Sequence, residues 1–313
     1  MKALFTEKFY SEQMESIKKL GYEVIYINEK QLNSISNIKD IDMMVCYNPF
    51  EKIDISKLLN LKWIQLTSVG IDQAPREKIL QNNILLTNNK GGYSIPMGEW
   101  IVLKTLEMFK NSKQFYEKQN NKEWVVDTSI LELYGKTIGF IGTGTIAKEG
   151  AKRLQGFGVH ILGVNTNGRN VEYFDKCFSM KKIDYVLSRS DILVITLPYT
   201  SKTHHFVNEE FMKKMKDESY LINIARGSII DENALIKNIN SGKIKKAALD
   251  VFEKEPLSEK SPLWEMDNII ITPHNSWVSE MRKNRKFNTI YENMERFINE
   301  QKLMNLVNLK KGY

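Results

Sequence analysis

Short apolar runs alternate with segments of helical period along nearly the whole chain. Residues 2–6 read as a strand, and residues 11–20 as an amphipathic helix that Gly21 closes. Strand-like runs follow at 22–27, 42–47, 62–66 and 83–87. A long helical stretch then covers 97–119 and ends before Trp124. A second alternation begins at Thr137, with strand-like runs at 137–141, 159–164, 191–197, 220–224, 247–249 and 268–271. A long amphipathic helix over 278–299 closes the pattern. Strands alternating with helices predict an α/β protein built on parallel sheets covered on both faces.

Composition narrows this picture rather than changing it. A length of 313 residues suggests two domains. Hydrophobic residues at 42% against 27% charged exclude wholesale disorder. The net charge of +7 invites a nucleic-acid reading, but the lysines are scattered among acidic residues and form nothing longer than dipeptides such as Lys181-Lys182. Nucleic-acid surfaces cluster their charge, so a solvated lysine-rich surface is expected, without a nucleic-acid partner. Cys46 and Cys177 show no metal-ligand spacing and form no disulfide framework; two buried free thiols in a reducing compartment are expected, and no metal. Glu7 interrupts the place where a signal peptide needs apolar residues, and no run approaches the ~18 apolar residues of a membrane span. These features imply a soluble, cytoplasmic protein with no membrane partner.

The strongest local signal is Gly139-Phe140-Ile141-Gly142-Thr143-Gly144-Thr145-Ile146-Ala147, where a strand ends and a helix begins. This is a dinucleotide-binding fingerprint with Ala147 in the third glycine position. Gly142 permits the tight turn, Gly144 lets a pyrophosphate approach the backbone, and the helix N-terminus at Thr145 and Ile146 offers N–H groups and a positive dipole end. About 20 residues on, where the ribose is read, stands Asn165-Thr166-Asn167-Gly168-Arg169, with no carboxylate. An Asp there would repel a 2′-phosphate; Asn165, Thr166 and Arg169 instead offer hydrogen bonds and charge neutralisation. NADP is therefore expected over NAD, the alternative being a polar loop that binds NAD without the carboxylate.

Three further pieces follow in order: Ala225-Arg226-Gly227, Asp250 through Glu255-Pro256, and Thr272-Pro273-His274. Arg226, Asp250 and His274 each lie just past a strand-like run, and in a doubly wound sheet those ends face the ligand crevice. Reduction of a 2-oxo acid needs a cation to grip the carboxylate and polarise the carbonyl, and an acid to protonate the new alkoxide. Arg supplies a planar fork for the first task. His is suited to the second, and a nearby Glu favours its charged form. Only eight of the 45 cations are Arg, which singles out Arg226 after an apolar strand. Asp250 either caps a turn or accepts from a nicotinamide carboxamide. His160, His204 and His205 read as surface or loop residues.

With these pieces the sequence resembles the D-isomer-specific 2-hydroxyacid dehydrogenase family along essentially its whole length. The resemblance rests on Gly142–Ala147, Ala225-Arg226-Gly227, Leu249-Asp250-Val251-Phe252 to Glu255-Pro256, and Thr272-Pro273-His274. It implies two doubly wound parallel-sheet domains, a Rossmann cofactor domain over 97–282 inserted into a flavodoxin-like substrate domain of 1–96 and 283–313. It implies that Arg226 binds substrate, Glu255 pairs with His274, and His274 donates or accepts the proton. Asp250 would hold the nicotinamide, with Pro198, Thr203, Ala225 and His274 also along the cofactor. Ser68-Val69-Gly70-Ile71-Asp72 is similar to the family's substrate loop, where the N–H groups of Val69 and Gly70 meet the carboxylate. A homodimer joined through the cofactor domains is implied as well.

The sequence departs from the family where Asn275-Ser276-Trp277 follows the histidine and where Tyr47-Asn48-Pro49-Phe50 forms a bulky loop. Trp277 is expected either at the substrate or packed under its own loop, and a substrate larger than glyoxylate is admitted. At 313 residues there is no room for the regulatory domain of long phosphoglycerate dehydrogenases, which points away from serine biosynthesis. Two rival readings stay open: a catalytically silent NAD(P)-sensing binding protein, and a dehydrogenase of another small anion such as formate. Formate enzymes pair the histidine with Gln, and Glu255 does not match that.

Overall fold

The computed structural model describes residues 1–32 and 40–312. The chain divides into two compact units, Met1–Tyr93 with Ser279–Tyr313, and Ser94–Val278. The expected boundaries at 96/97 and 282/283 lie slightly C-terminal of these. Local hydrogen bonding accounts for the difference. Ser94 Oγ donates to Thr145 Oγ1 at 2.9 Å, inside the second unit. Ser279 is held by Arg282 Nη1 on its carbonyl (3.0 Å) and Arg285 Nη1 on its hydroxyl (3.4 Å), both from the final helix.

The first unit carries β1 (Lys2–Phe5), α1 (Ser11–Lys19), β2 (Glu23–Tyr26), β3 (Met43–Cys46), β4 (Trp63–Leu66), α2 (Arg76–Gln81) and β5 (Leu85–Thr87). Its five strands pair in parallel in the order β2-β1-β3-β4-β5, the flavodoxin-like order. β3 and β4 are buried at every residue, as central strands covered on both faces must be. The final helix, Arg282–Ile298, packs Phe287, Ile290 and Met294 against Phe5, Val45 and Trp63.

The second unit carries α3 (Ser94–Phe109), α4 (Ser112–Asn120), β6 (Thr137–Ile141), α5 (Thr145–Leu154), β7 (His160–Asn165), β8 (Lys176–Ser179), α6 (Ile183–Leu187), β9 (Ile192–Ile195), α7 (Glu209–Lys213), β10 (Ser219–Asn223), α8 (Glu232–Asn240), β11 (Ile244–Leu249) and β12 (Ile269–Ile271). Its parallel sheet runs β12-β11-β10-β9-β6-β7-β8. Read from β8, this is the doubly wound 3-2-1-4-5-6 order with one strand added. The order reverses at β6, the strand that leads into the glycine loop.

The stretch expected as one helix over 97–119 is two helices. Asn111 adopts φ 52° between them, and its side chain donates to Asp127 Oδ2 at 3.0 Å and accepts from Lys246 Nζ at 2.7 Å. Asn tolerates the left-handed region better than other side chains, and here three partners hold it there. The edge strand β8 carries too weak an alternation to be anticipated, and the final helix starts at Arg282 rather than 278. Cys46 and Cys177 are free and buried. Among the described residues no helix is long and apolar enough to cross a membrane.

Candidate active site

The glycine loop is built from the backbone. Gly142 has φ +102°, and a Cβ there would stand 2.7 Å from the Thr196 carbonyl oxygen. Its N–H donates to Val164 O (2.9 Å) and its carbonyl accepts from Thr196 Oγ1 (2.9 Å), which ties the loop to β7 and to the end of β9. Gly144 is the N-cap of α5 and makes no side-chain cap. A Cβ on Gly144 would meet nothing within 4 Å, so open space lies against this part of the backbone. The first N–H groups of a helix lack intrahelical acceptors, and Thr145 and Ile146 supply them here. Ala147 is fully buried. An open backbone cradle at an uncapped helix start, with a positive dipole end, fits a dinucleotide pyrophosphate.

At the end of β7 the candidate residues separate. Asn165 is buried, and its amide donates to Thr143 Oγ1 (3.1 Å) and Arg169 O (2.8 Å) while its Oδ1 accepts from Gly168 N and Arg169 N. That side chain braces its own turn. Thr166 and Arg169 are exposed on the same turn. Thr203 lies in the segment after β9, where its hydroxyl accepts from Thr200 N (2.7 Å) and donates to Pro198 O (2.8 Å).

Arg226, Asp250, Glu255, His274 and Trp277 belong to the loops that leave β10, β11 and β12. Asn223, the last residue of β10, is buried; it accepts from Ala225 N (3.1 Å) and donates to Arg226 O (3.0 Å), which sets the turn that presents Arg226. Gly227 lies so close to the next loop that a Cβ would stand 1.7 Å from the Phe252 carbonyl carbon. No other residue fits there, and this contact brings the Arg226 turn beside the Glu255 loop.

Glu255 Oε1 accepts from Phe252 N at 3.0 Å, and Oε2 lies 2.8 Å from His274 Nδ1. Partial burial pushes the Glu255 carboxyl up. The hydrogen bonds from His274 and Phe252, with the charges of His274 and Arg226, outweigh this and hold it below the usual carboxylate range. An ionised carboxylate only accepts, so Nδ1 of His274 carries the proton and Nε2 is turned away from Glu255.

Asp250 is the keystone of the histidine loop. It is 1% exposed, and its carboxylate accepts from Thr272 Oγ1 (2.7 Å), Asn275 N (2.8 Å) and Ser276 N (3.0 Å). Its carbonyl accepts from His274 N at 2.8 Å. His274 is thereby held at φ 50°, a conformation that costs a non-glycine residue about 1–3 kcal/mol and persists only where its surroundings dictate it. Trp277 donates its indole N–H to His274 O at 2.8 Å, so it braces the same loop. Asn223 and Thr272 were not singled out from sequence; a polar residue ending the apolar run Leu221-Ile222-Asn223 was the available signal for the first.

Val69 and Gly70 belong to the other unit, in the turn after β4. Every carbonyl of 68–70 is taken: Ser68 O by Asn89 N (2.8 Å), Val69 O by Asn88 Nδ2 (2.7 Å) and Gly70 O by Ser68 Oγ (2.7 Å). Gln73 Nε2 links Ser68 Oγ to the Tyr47 carbonyl, at 2.9 Å from each. The N–H groups of Val69 and Gly70 meet no acceptor among the described residues. Two adjacent free amides suit a carboxylate.

Known proteins resemble the chain in family and fold. Residues 102–276 match the family described as D-isomer specific 2-hydroxyacid dehydrogenase, NAD binding domain. A glyoxylate reductase of Thermofilum pendens is 37% identical over 251 residues, spanning 77% of this chain and 73% of that protein. In fold, the chain superposes with a TM-score of 0.87 on a D-isomer specific 2-hydroxyacid dehydrogenase of Xanthobacter autotrophicus in complex with NADPH and MES, at 24% identity and 99% coverage of both chains. An NADPH-dependent glyoxylate/hydroxypyruvate reductase of Sinorhizobium meliloti, in complex with NADP and sulfate, gives a TM-score of 0.83 at 25% identity, covering 100% of this chain and 99% of that one.

Proposed function

The chain belongs to the D-isomer specific 2-hydroxyacid dehydrogenase family, an NAD(P)-dependent group, and from that membership we propose that it reduces a 2-oxo acid to the D-2-hydroxy acid with NADPH. The observation that carries this reading is the 2.8 Å contact between His274 Nδ1 and a Glu255 carboxylate on which the charge of Arg226 also acts. The bound cofactor supplies the hydride. Arg226 grips the carboxylate and polarises the carbonyl of the substrate. His274 delivers a proton from Nε2 to the developing alkoxide, and Glu255 stabilises the imidazolium and fixes its tautomer. Asp250 acts by holding the histidine loop, whatever it also offers the nicotinamide.

NADPH is favoured over NADH because the β7 turn exposes Arg169 and Thr166 and holds no carboxylate. We also place the protein in a homodimer. Trp124 is 99% exposed and Val126 81%, beside Val125 and Phe115, an apolar exposure that suits burial against a second copy. The functional reading is tested by following NADPH and NADH oxidation with glyoxylate, hydroxypyruvate, pyruvate, phenylpyruvate and 2-oxoisocaproate. Turnover of at least one, faster with NADPH, is expected. Silence across the panel while NADPH still binds would overturn it.

A further inference from the structure

His205 lies outside the catalytic cluster yet touches two of the loops that build it, the Arg226 turn and the Glu255 loop. The Glu255 loop, residues 250–256, has no regular structure of its own and depends on its neighbours for position. Its Glu253 exchanges bonds with the start of α8: Glu253 N donates to Glu232 Oε1 at 2.7 Å, and Glu232 N donates to Glu253 Oε1 at 3.3 Å. The same Glu253 Oε1 lies 2.7 Å from His205 Nε2. The Nε2–H direction misses this oxygen, so the pair is a close polar contact rather than an aligned hydrogen bond.

The backbone of His205 makes the second connection. Its N–H donates to Ser228 O at 2.8 Å, two residues past Arg226. Its φ of 48° places it in the left-handed region, a strain the surrounding loops must sustain. It follows the turn in which Thr203 bonds Pro198. One residue thus joins the cofactor-side turn, the Arg226 turn and the Glu255 loop. The histidine ring is 37% exposed, so packing alone does not explain the arrangement.

We propose that His205, through Glu253, is a positioning residue that holds Glu255 in register with His274. The inference rests on the assignment of Glu255 and His274 given above. Glu253 is two residues from Glu255, and a loop without internal ladders transmits a shift at one to the other. Misplacing a reacting group by about 1 Å costs on the order of 100-fold in rate, and a partial slip costs less.

The test compares His205→Ala, His205→Gln and Glu253→Gln. His205→Ala is expected to lower kcat roughly tenfold with KM for the 2-oxo acid within about threefold, the signature of an interaction realised in the transition state. His205→Gln, which returns a donor near Nε2, recovers most of the loss. Glu253→Gln keeps an acceptor for Glu232 N–H and reproduces the loss, and combining it with His205→Ala adds little. A readout independent of turnover is the Nδ1–H resonance of His274 in 15N-histidine-labelled protein, where only four histidines need assignment. The Glu255-bonded signal is expected to be lost or broadened in His205→Ala and kept in His205→Gln. An unchanged resonance in His205→Ala, wild-type kcat, or equal losses in the Ala and Gln variants would overturn the proposal. If His205→Ala fails to fold, Glu253→Gln decides by the same two readouts. If the wild type itself turns over no 2-oxo acid, it is the functional reading that fails, and the resonance alone decides the positioning role.

Discussion

Two loops at the strand ends of one sheet are built on opposite principles. The glycine loop after β6 acts through backbone: Gly142 turns, Gly144 leaves space, and the start of α5 offers its N–H groups. The cluster after β10, β11 and β12 acts through side chains from three separate loops, each held by a residue that does no chemistry itself. Asn223 sets Arg226, Phe252 N–H sets Glu255, and Asp250 sets the His274 loop. The first draws its working groups from one continuous segment, tied to neighbouring strands through Val164 and Thr196, and leaves no room for a side chain at Gly142. The second depends on long-range braces, so it fails in more graded ways.

Removing the acid should show the largest effect and separate the two. His274→Ala is expected to lower kcat by about 10²–10⁴-fold while NADPH binding, followed by fluorescence titration, stays within about twofold of wild type. Loss of NADPH binding in that variant would mean that the two loops are not separable. Asp250→Asn comes next. An amide cannot accept from all three of Thr272 Oγ1, Asn275 N and Ser276 N, so a buried donor is left unpaired at about 1–3 kcal/mol. A fall in Tm together with a kcat loss of roughly 100-fold is expected; a stable variant with normal kcat would remove Asp250 from the histidine loop's support.

On the backbone side, Gly142→Ala sets a Cβ 2.7 Å from the Thr196 carbonyl at φ +102°. About 2 kcal/mol of stability should be lost, from left-handed strain and overpacking, with weaker NADPH binding. Thermal melts with and without NADPH check this. Wild-type melting would mean that β9 gives way to the added methyl.

The same division explains how much was legible in the sequence. The glycine loop could be read because turn, open approach and helix start are consecutive requirements on one segment. Arg226, Glu255 and His274 stood out because strand ends are predictable and their chemistry is distinctive. What could not be read is where a polar side chain spends its hydrogen bonds. Asn165 reads equally well as a phosphate contact and as a turn brace; its amide goes to Thr143 and to the 168–169 turn, leaving Thr166 and Arg169 exposed. Asp250 reads as a cap or a nicotinamide partner, and three loop donors occupy its carboxylate. Asn111 hides a helix break in a helical pattern, because its partners Asp127 and Lys246 are distant in sequence. His205 looked like a loop histidine until Glu253 and Ser228 were placed beside it.

The smallest effect sharpens the comparison in acid. The Glu255 carboxyl is held below its ordinary 4.5 in the folded protein, so the native state binds this proton more weakly than the unfolded chain does. Its contribution to stability is therefore complete above about pH 4.5 and disappears as pH falls through the lower folded value. Glu255→Gln has no such proton to bind. The Tm difference between wild type and Glu255→Gln should shrink as pH falls below about 4.5. The shift is modest, because the carboxylate is 35% exposed and solvent screens part of its interaction. A difference that stays flat through the acid range would mean that the 2.8 Å contact with His274 Nδ1 carries no net charge stabilisation, and that Glu255 serves only to orient the ring. Glycine-loop variants carry no ionisable change, so their Tm difference from wild type should run flat over the same range, which makes the acid limb a signature of the side-chain site alone.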